Sequence, residues 1–139
     1  MAKQTGLGDY IAVDDSGGTA RDLSTDITNY DVAIAQNSID ATSISKSAFE
    51  RLIGLNDLTV TLTGVADFAS NLAHDVFKTR SGTRTFDLRV GGNTSSNPRL
   101  QAEMIVTDYT LSRGTDGTLG WTAGLALQSG TTPAYDTVP

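Results

Sequence analysis

Apolar and polar residues alternate along much of this chain with a period of two, the pattern of half-buried strands. Leu58 to Val65 is the clearest case: Leu58, Val60 and Leu62 point to one face, and Thr59, Thr61 and Thr63 to the other. Tyr30 to Ala35 repeats it, with Tyr30, Val32 and Ile34 opposed to Asp31, Ala33 and Ala35. Tyr10 to Val13 reads as a first strand. The turn Asp14-Asp15-Ser16-Gly17-Gly18 follows, because glycine tolerates positive φ and aspartate bonds its own backbone. Arg21-Asp22-Leu23 begins the return. Thr85–Val90, Leu100–Leu111 and Leu119–Gln128 are further strands, and Asp116-Gly117 between the last two is a hairpin signal. Leu119, Trp121, Ala123, Leu125 and Leu127 share one face, which places Trp121 in the core. The opposite face, Gly120, Thr122, Gly124 and Ala126, is small enough for another backbone to come close.

Three segments depart from this period. Asp67 to Arg80 has Phe68, Leu72 and Val76 beside Ala69, Ala73 and Phe77 at four-residue spacing, one apolar stripe of a helix. Asp67 near its start and Lys78 and Arg80 near its end suit the helix dipole. Residues 36–57 are polar with isolated apolar anchors, Ile39, Ile44, Phe49 and Leu52, which a single copy would struggle to bury. Within them Ser47-Ala48-Phe49-Glu50 has the form of a capping box, predicting a short helix that Gly54 can end. A connection of about twenty residues is uncommon in a compact domain and is usually functional. Residues 129–139 form a C-terminal tail without periodicity. The sum is one domain over residues 1–139: a mainly β fold, an antiparallel β-sandwich or barrel with one flanking α-helix and a long inter-strand loop.

Composition narrows the function. Hydrophobic residues make up 38% and charged residues 19% of the chain, and the net charge is −6. An acidic chain repels phosphate, which argues against tight DNA binding and against lipid surfaces. Residues 1–70 carry ten acids and four bases, while residues 71–139 carry six of each, with Lys78, Arg80, Arg84 and Arg89 close together. Such halves can complement each other between neighbouring copies, and Arg84 and Arg89 are expected to meet acids of a neighbouring copy there. There is no cysteine and a single histidine, His74, expected on the polar side of the helix as a plain surface residue. Metal and triad chemistry need several converging groups. Asp14-Asp15 lacks calcium-loop spacing, the glycine clusters lack a phosphate-loop context, and no G-x-S-x-G elbow occurs. No catalytic, cofactor-binding or metal residue is assigned, and the chain is not read as an enzyme. An alternative, a carbohydrate-binding or adhesin β-sandwich, would show exposed aromatic platforms; the nine aromatics here fall mostly on apolar faces. No run is long enough for a membrane span, and Met1 to Gly6 lack the apolar core of a signal peptide.

The stretch Ala48-Phe49-Glu50-Arg51-Leu52-Ile53-Gly54-Leu55-Asn56-Asp57, followed by Leu58-Thr59-Val60-Thr61-Leu62-Thr63-Gly64-Val65-Ala66-Asp67, resembles the major tail proteins of long-tailed bacteriophages. An early strand there is matched by Leu23-Ser24-Thr25-Asp26-Ile27-Thr28, a loop end by Gly54-Leu55-Asn56-Asp57, and a helix opening by Gly64-Val65-Ala66-Asp67. The resemblance implies a tail tube subunit, of the non-contractile type, that self-assembles into hexameric rings stacked into a conduit for genome delivery. It implies residence in the virion tail after assembly in the host cytoplasm. Its partners would be further copies, a tape measure protein, a tail terminator and distal tail proteins, with DNA passing without specific binding. Ile39, Ile44, Phe49 and Leu52 are then candidates for contact between rings, and Thr59, Thr61 and Thr63 for the lumen wall, which is expected to be polar and net negative or neutral.

Overall fold

The computed structural model describes residues 5–139, so the reading of Met1 to Gln4 as free of a leader lies outside the described residues. Eight strands and one helix follow in the order β1 (Tyr10–Asp14), β2 (Ala20–Asp22), β3 (Ile27–Asp40), β4 (Arg51–Val65), α1 (Ala73–Phe77), β5 (Thr83–Arg89), β6 (Pro98–Arg113), β7 (Leu119–Leu127) and β8 (Tyr135–Thr137). They form a single antiparallel sheet in the order β2-β1-β5-β6-β7-β4-β3, with β8 added beside β6. Strand β6 is the hinge of this sheet. It pairs with β5 along Arg99–Ile105 and with β7 along Met104–Arg113, with a register shift between Val106 and Asp108. An extra residue of this kind bends a strand and raises its twist, so the sheet curls around one core.

The alternation read from the chain decides what fills that core. Leu58, Val60 and Leu62 of β4 join Trp121, Ala123 and Leu125 of β7, Ile11 and Val13 of β1, and Phe86 and Leu88 of β5 in one buried cluster. Ala73, Val76 and Phe77 of α1 complete it. The curl brings the start of the chain back against β3: the Tyr30 hydroxyl donates to Asp9, whose other oxygen accepts the Gly91 amide at 2.7 Å. The Leu23 amide donates to the Ile11 carbonyl across the same junction.

Three expectations are corrected. The helix spans only Ala73–Phe77, not Asp67–Arg80. Asn71 sits at φ 65°, a left-handed conformation that breaks a helix, and Asp67 turns its carboxylate onto the Ala69 amide instead of opening a continuous helix. The Ala73 amide is taken instead by Asp26, which is buried. Burial raises the Asp26 carboxyl above the usual range; the Ala73 amide pulls it down, and Asp67 beside it pushes it up again. Residues 36–57 do not form a loop with a helix in it: β3 runs to Asp40 and β4 starts at Arg51, leaving 41–50 as a hairpin tip. Thr42 takes the Glu50 amide at 2.9 Å, Ala41 donates to the Glu50 carbonyl, and the Glu50 side chain pairs with Lys46, so the partners of a capping box are already engaged. The C-terminal tail, finally, is partly ordered into β8, and Val138 behind it is buried.

Gly64 stands where β4 passes closest to the chain ahead of β3. A Cβ there would overlap the carbonyl oxygen of Asp26 and stand 2.9 Å from Nε1 of Trp121, which donates to the Val65 carbonyl. Gly64→Ala is expected to lower stability by about 1–3 kcal/mol through overpacking, read as a lower urea midpoint at unchanged slope; an unchanged midpoint would show that the close approach is not needed.

Tyr30 is pushed up to about 12, first by burial and then by the Asp9 carboxylate. The folded chain therefore holds a proton that the unfolded chain loses near 10.0, so this contribution is intact below pH 10 and is lost as pH rises from 10 to about 12. Urea unfolding across that interval should show wild type losing stability relative to Tyr30→Phe, and parallel curves would exclude the linkage.

Candidate assembly surfaces

The four strands β6, β7, β4 and β3 present an outer face opposite the core. On it Thr59 lies between Ala33 and Ala126, Thr61 between Asp31 and Gly124, and Thr63 between Asn29 and Thr122. Strand β6 adds Asp108, Thr110 and Ser112. Thr59 and Thr61 are exposed and Thr63 is half-buried. Gly124 lets Asp108 lie across the sheet, since a Cβ at 124 would stand 2.5 Å from its Oδ1. The ionised side chains at these registers are Asp31, Asp57 and Asp108; no lysine or arginine shares them. The face is mostly small, hydroxylated and acidic, with Ile105 opposite Ala126 and Val65 opposite Gly120 as its exposed apolar residues.

Both margins of these four strands are open among the described residues. Strand β3 pairs with β4 alone, which leaves its other edge without a partner from Ile27 to Asp40. Strand β5 reaches β6 only as far as the Thr83–Ile105 pair, so the same edge of β6 from Val106 to Arg113 is also unpartnered. Exposed edges of this length invite pairing with another chain.

Beyond the body, β3 and β4 continue as a two-stranded arm. Strand β7 pairs with β4 only from Thr59 onward, and residues before it have β3 as their sole neighbour. A register shift between Gln36 and Ser38 brings Ile39 opposite Leu52. These two, with Ile44 and Phe49 of the tip, are all exposed. Ile53 (73% exposed) and Leu55 (84%) are exposed on the arm too, and Ile53, opposite Ser38, faces away from Leu52. Sequence reasoning missed them because Leu52-Ile53-Gly54-Leu55 was assigned to a helix and its stop. Gly54 instead faces Asn37, where a Cβ would stand 3.0 Å from that residue's own Cβ. An isolated two-stranded hairpin is marginal in water, and a contiguous apolar surface marks an interaction site.

Arg84 and Arg89 are satisfied within the chain, a correction to their expected pairing with a neighbour. Arg84 is fully buried, and its guanidinium donates to the carbonyls of Asp14, Val76, Thr79 and Ser81. Burial pushes its pKa down. Arg89 pairs with Asp87 at 2.9 Å and lies over the Tyr10 ring, and Arg99 pairs with Asp136 at 2.7 Å. His74 is half-buried and not a plain surface residue: its Nδ1 is 3.0 Å from the Tyr109 hydroxyl, and its ring packs on Phe68.

No family model matches the chain, and no curated protein sequence matches it. Solved structures do. A chain in the tail of an empty gene transfer agent particle, with C6 symmetry, superposes with TM-score 0.71 at 14% identity, covering 99% of this chain and 100% of that one. A chain of the native gene transfer agent virion gives 0.70 at 14%, over 99% and 100%. A chain of the 6-fold symmetrised anti-feeding prophage baseplate gives 0.67 at 10%, over 99% and 98%. The fold is that of chains in phage-tail-like particles. At these identities the likeness is one of architecture, and it extends over nearly the whole chain.

The buried Arg84 gives a direct check on how this fold is pinned. Arg84→Met removes the donors of four carbonyl groups and should cost about 1–3 kcal/mol or more. Arg84→Lys should recover only part, since an ammonium lacks the planar fork of five N–H groups. Equal stability of all three proteins in urea would show that the carbonyls find water instead.

Proposed function

We propose that the chain is the tail tube subunit of a bacteriophage or phage-like particle. Copies join edge to edge into rings, and rings stack into a conduit through which the genome leaves. The observation that carries this is the pair of open edges on opposite margins of one four-stranded sheet whose outer face is acidic and small. Head-to-tail pairing of β3 with the Val106–Arg113 edge of a neighbour makes a ring when the rotation closes, and closure removes both edges. Six copies per ring fit the C6 and 6-fold symmetry of the similar assemblies. Those assemblies include a tail and a baseplate, so the reading covers tail-like particles in general and assigns no sheath.

Thr59, Thr61 and Thr63, with Asp31, Asp57 and Asp108, would line the channel. A wall without unpaired bases offers phosphates nothing to neutralise, so DNA passes without being held. The role is structural, without a catalytic step. A tape measure protein, a terminator and distal tail proteins would meet the tube at its axis and ends, in a virion assembled in the host cytoplasm.

Electron microscopy of the purified protein should show tubes or rings. Replacing residues 38–46 by a short Gly-Ser turn should leave a folded domain, with the same circular dichroism in the strand region, that no longer forms tubes. Monodisperse single copies of the wild type would overturn the reading, and normal tubes from the shortened variant would show that the arm is not the stacking element.

A further inference from the structure

The hairpin tip and the segment that follows β4 lie at opposite ends of the same strand. Phe49 and Arg51 stand at its start, and Asp67 and Phe68 follow its end at Val65. At about 3.3 Å per residue, a strand of this length separates them by roughly 45 Å. Each end exposes an aromatic ring beside a charge that forms no ion pair among the described residues. On the arm, the Arg51 guanidinium lies 4.7 Å over the exposed Phe49 ring. Of the nearby acids, Glu50 is engaged by Lys46 at 3.1 Å, and Asp40, opposite Arg51 in the register, accepts from the Thr42 amide and hydroxyl and forms no ion pair with Arg51. At the far end Phe68 is 57% exposed although its other side packs on His74. Asp67 beside it caps the Ala69 amide, lies against the buried Asp26 carboxyl and makes no ion pair among the described residues, while Lys78 is held by Asp75. Leu111, exposed on β6 two residues beyond the Tyr109 that contacts His74, extends the apolar floor.

We propose that the Phe49–Arg51 end of the arm docks on the Asp67–Phe68 surface of a second copy in the adjacent ring, with Arg51 opposite Asp67 and Phe49 against Phe68. This rests on the tube reading and names the surface that receives the arm. The two patches differ in charge and cannot meet within one copy, because the body of the sheet lies between them. A contact between unlike patches on opposite ends repeats without closing, which builds a stack instead of a dimer. Charge complementarity fixes the rotational register from ring to ring.

The chain contains no cysteine, which makes cross-linking unambiguous. Ala48→Cys and Ala69→Cys flank the two aromatics at exposed positions and leave all four docking residues in place. Tubes of the double variant treated with a short bis-maleimide should give a ladder of covalent multimers running past one ring's worth of copies, and neither single variant should give one. Separately, Arg51→Glu or Asp67→Lys should each abolish tube growth, and the combined variant should restore it. The docking is overturned if the double cysteine variant forms tubes that do not cross-link, or if its ladder stops at one ring. It is also overturned if the charge-swapped pair grows no better than the natively folded single variants. Should Asp67→Lys fail to fold, the cross-link decides alone. Failure of the wild type to form tubes would instead sink the tube reading itself, a distinct outcome.

Discussion

Strand β4 pairs with β7 from Thr59 to Val65, and before that point β3 is its only neighbour. This unequal pairing is what the rest of the molecule depends on. Where β7 is present, the sheet has a core behind it and Leu58, Val60 and Leu62 are buried. Where β7 is absent, the same two strands carry apolar residues with nothing to cover them. Backbone hydrogen bonding and apolar burial are thus both left incomplete, at the outer edge of β3, along the far half of β6, and on the arm. Such groups are costly to leave exposed in number, and the proposed ring covers both edges by joining β3 of one copy to the open stretch of β6 of the next.

The body that supports these open margins is held by polar clamps as well as by its core. Asp26 fixes the first turn of α1 through the Ala73 amide, and Arg84 gathers carbonyls from the end of that helix, the Thr79–Ser81 turn and the end of β1. Both side chains are buried; Asp26 serves an amide at the start of the short helix, and Arg84 serves the Val76 carbonyl near its end together with carbonyls outside it. A helix of this length has little stability of its own; it persists because the chain before β3 and strand β5 each supply it with a partner. Gly64 belongs to the same arrangement, since it lets the Asp26 backbone approach β4 closely enough for that carboxylate to reach the helix.

The strands of the body were legible because one face of each is buried, and burial enforces a period of two. Leu58–Val65 and Leu119–Gln128 show this plainly, and Trp121 lies in the core as its neighbours indicate. Legibility failed where that enforcement lapses. Both faces of the arm are exposed, so Ile39, Leu52, Ile53 and Leu55 carry no alternation, and the local Ser47–Glu50 signal pointed to a helix. The cross-strand bonds of Thr42 with Glu50 decide otherwise, and they become visible only once Asp40 and Arg51 are known to pair. Phe68 was placed in an apolar stripe by spacing alone; a single left-handed residue, Asn71, removes the helix that the stripe presupposes. Arg84 could not be foreseen, because a basic residue whose partners are all carbonyls leaves no mark in the sequence.

The fate of the bases bears on the character of the outer face. A net charge of −6 does not by itself make any one surface acidic. It does so here because four of the five bases of the 78–99 region are held elsewhere: Arg84 in the interior, Arg89 on Asp87 and Tyr10, Arg99 on Asp136, and Lys78 on Asp75, while Arg80 is exposed after the helix. The acids of that face, Asp31, Asp57 and Asp108, form none of these pairs. The exposed Lys78–Asp75 pair contributes little to stability either way. The effect of this placement is on what the surface can bind. The sheet with the two open edges therefore also presents a face poor in groups that could hold a polyanion, and the two properties meet on the same four strands.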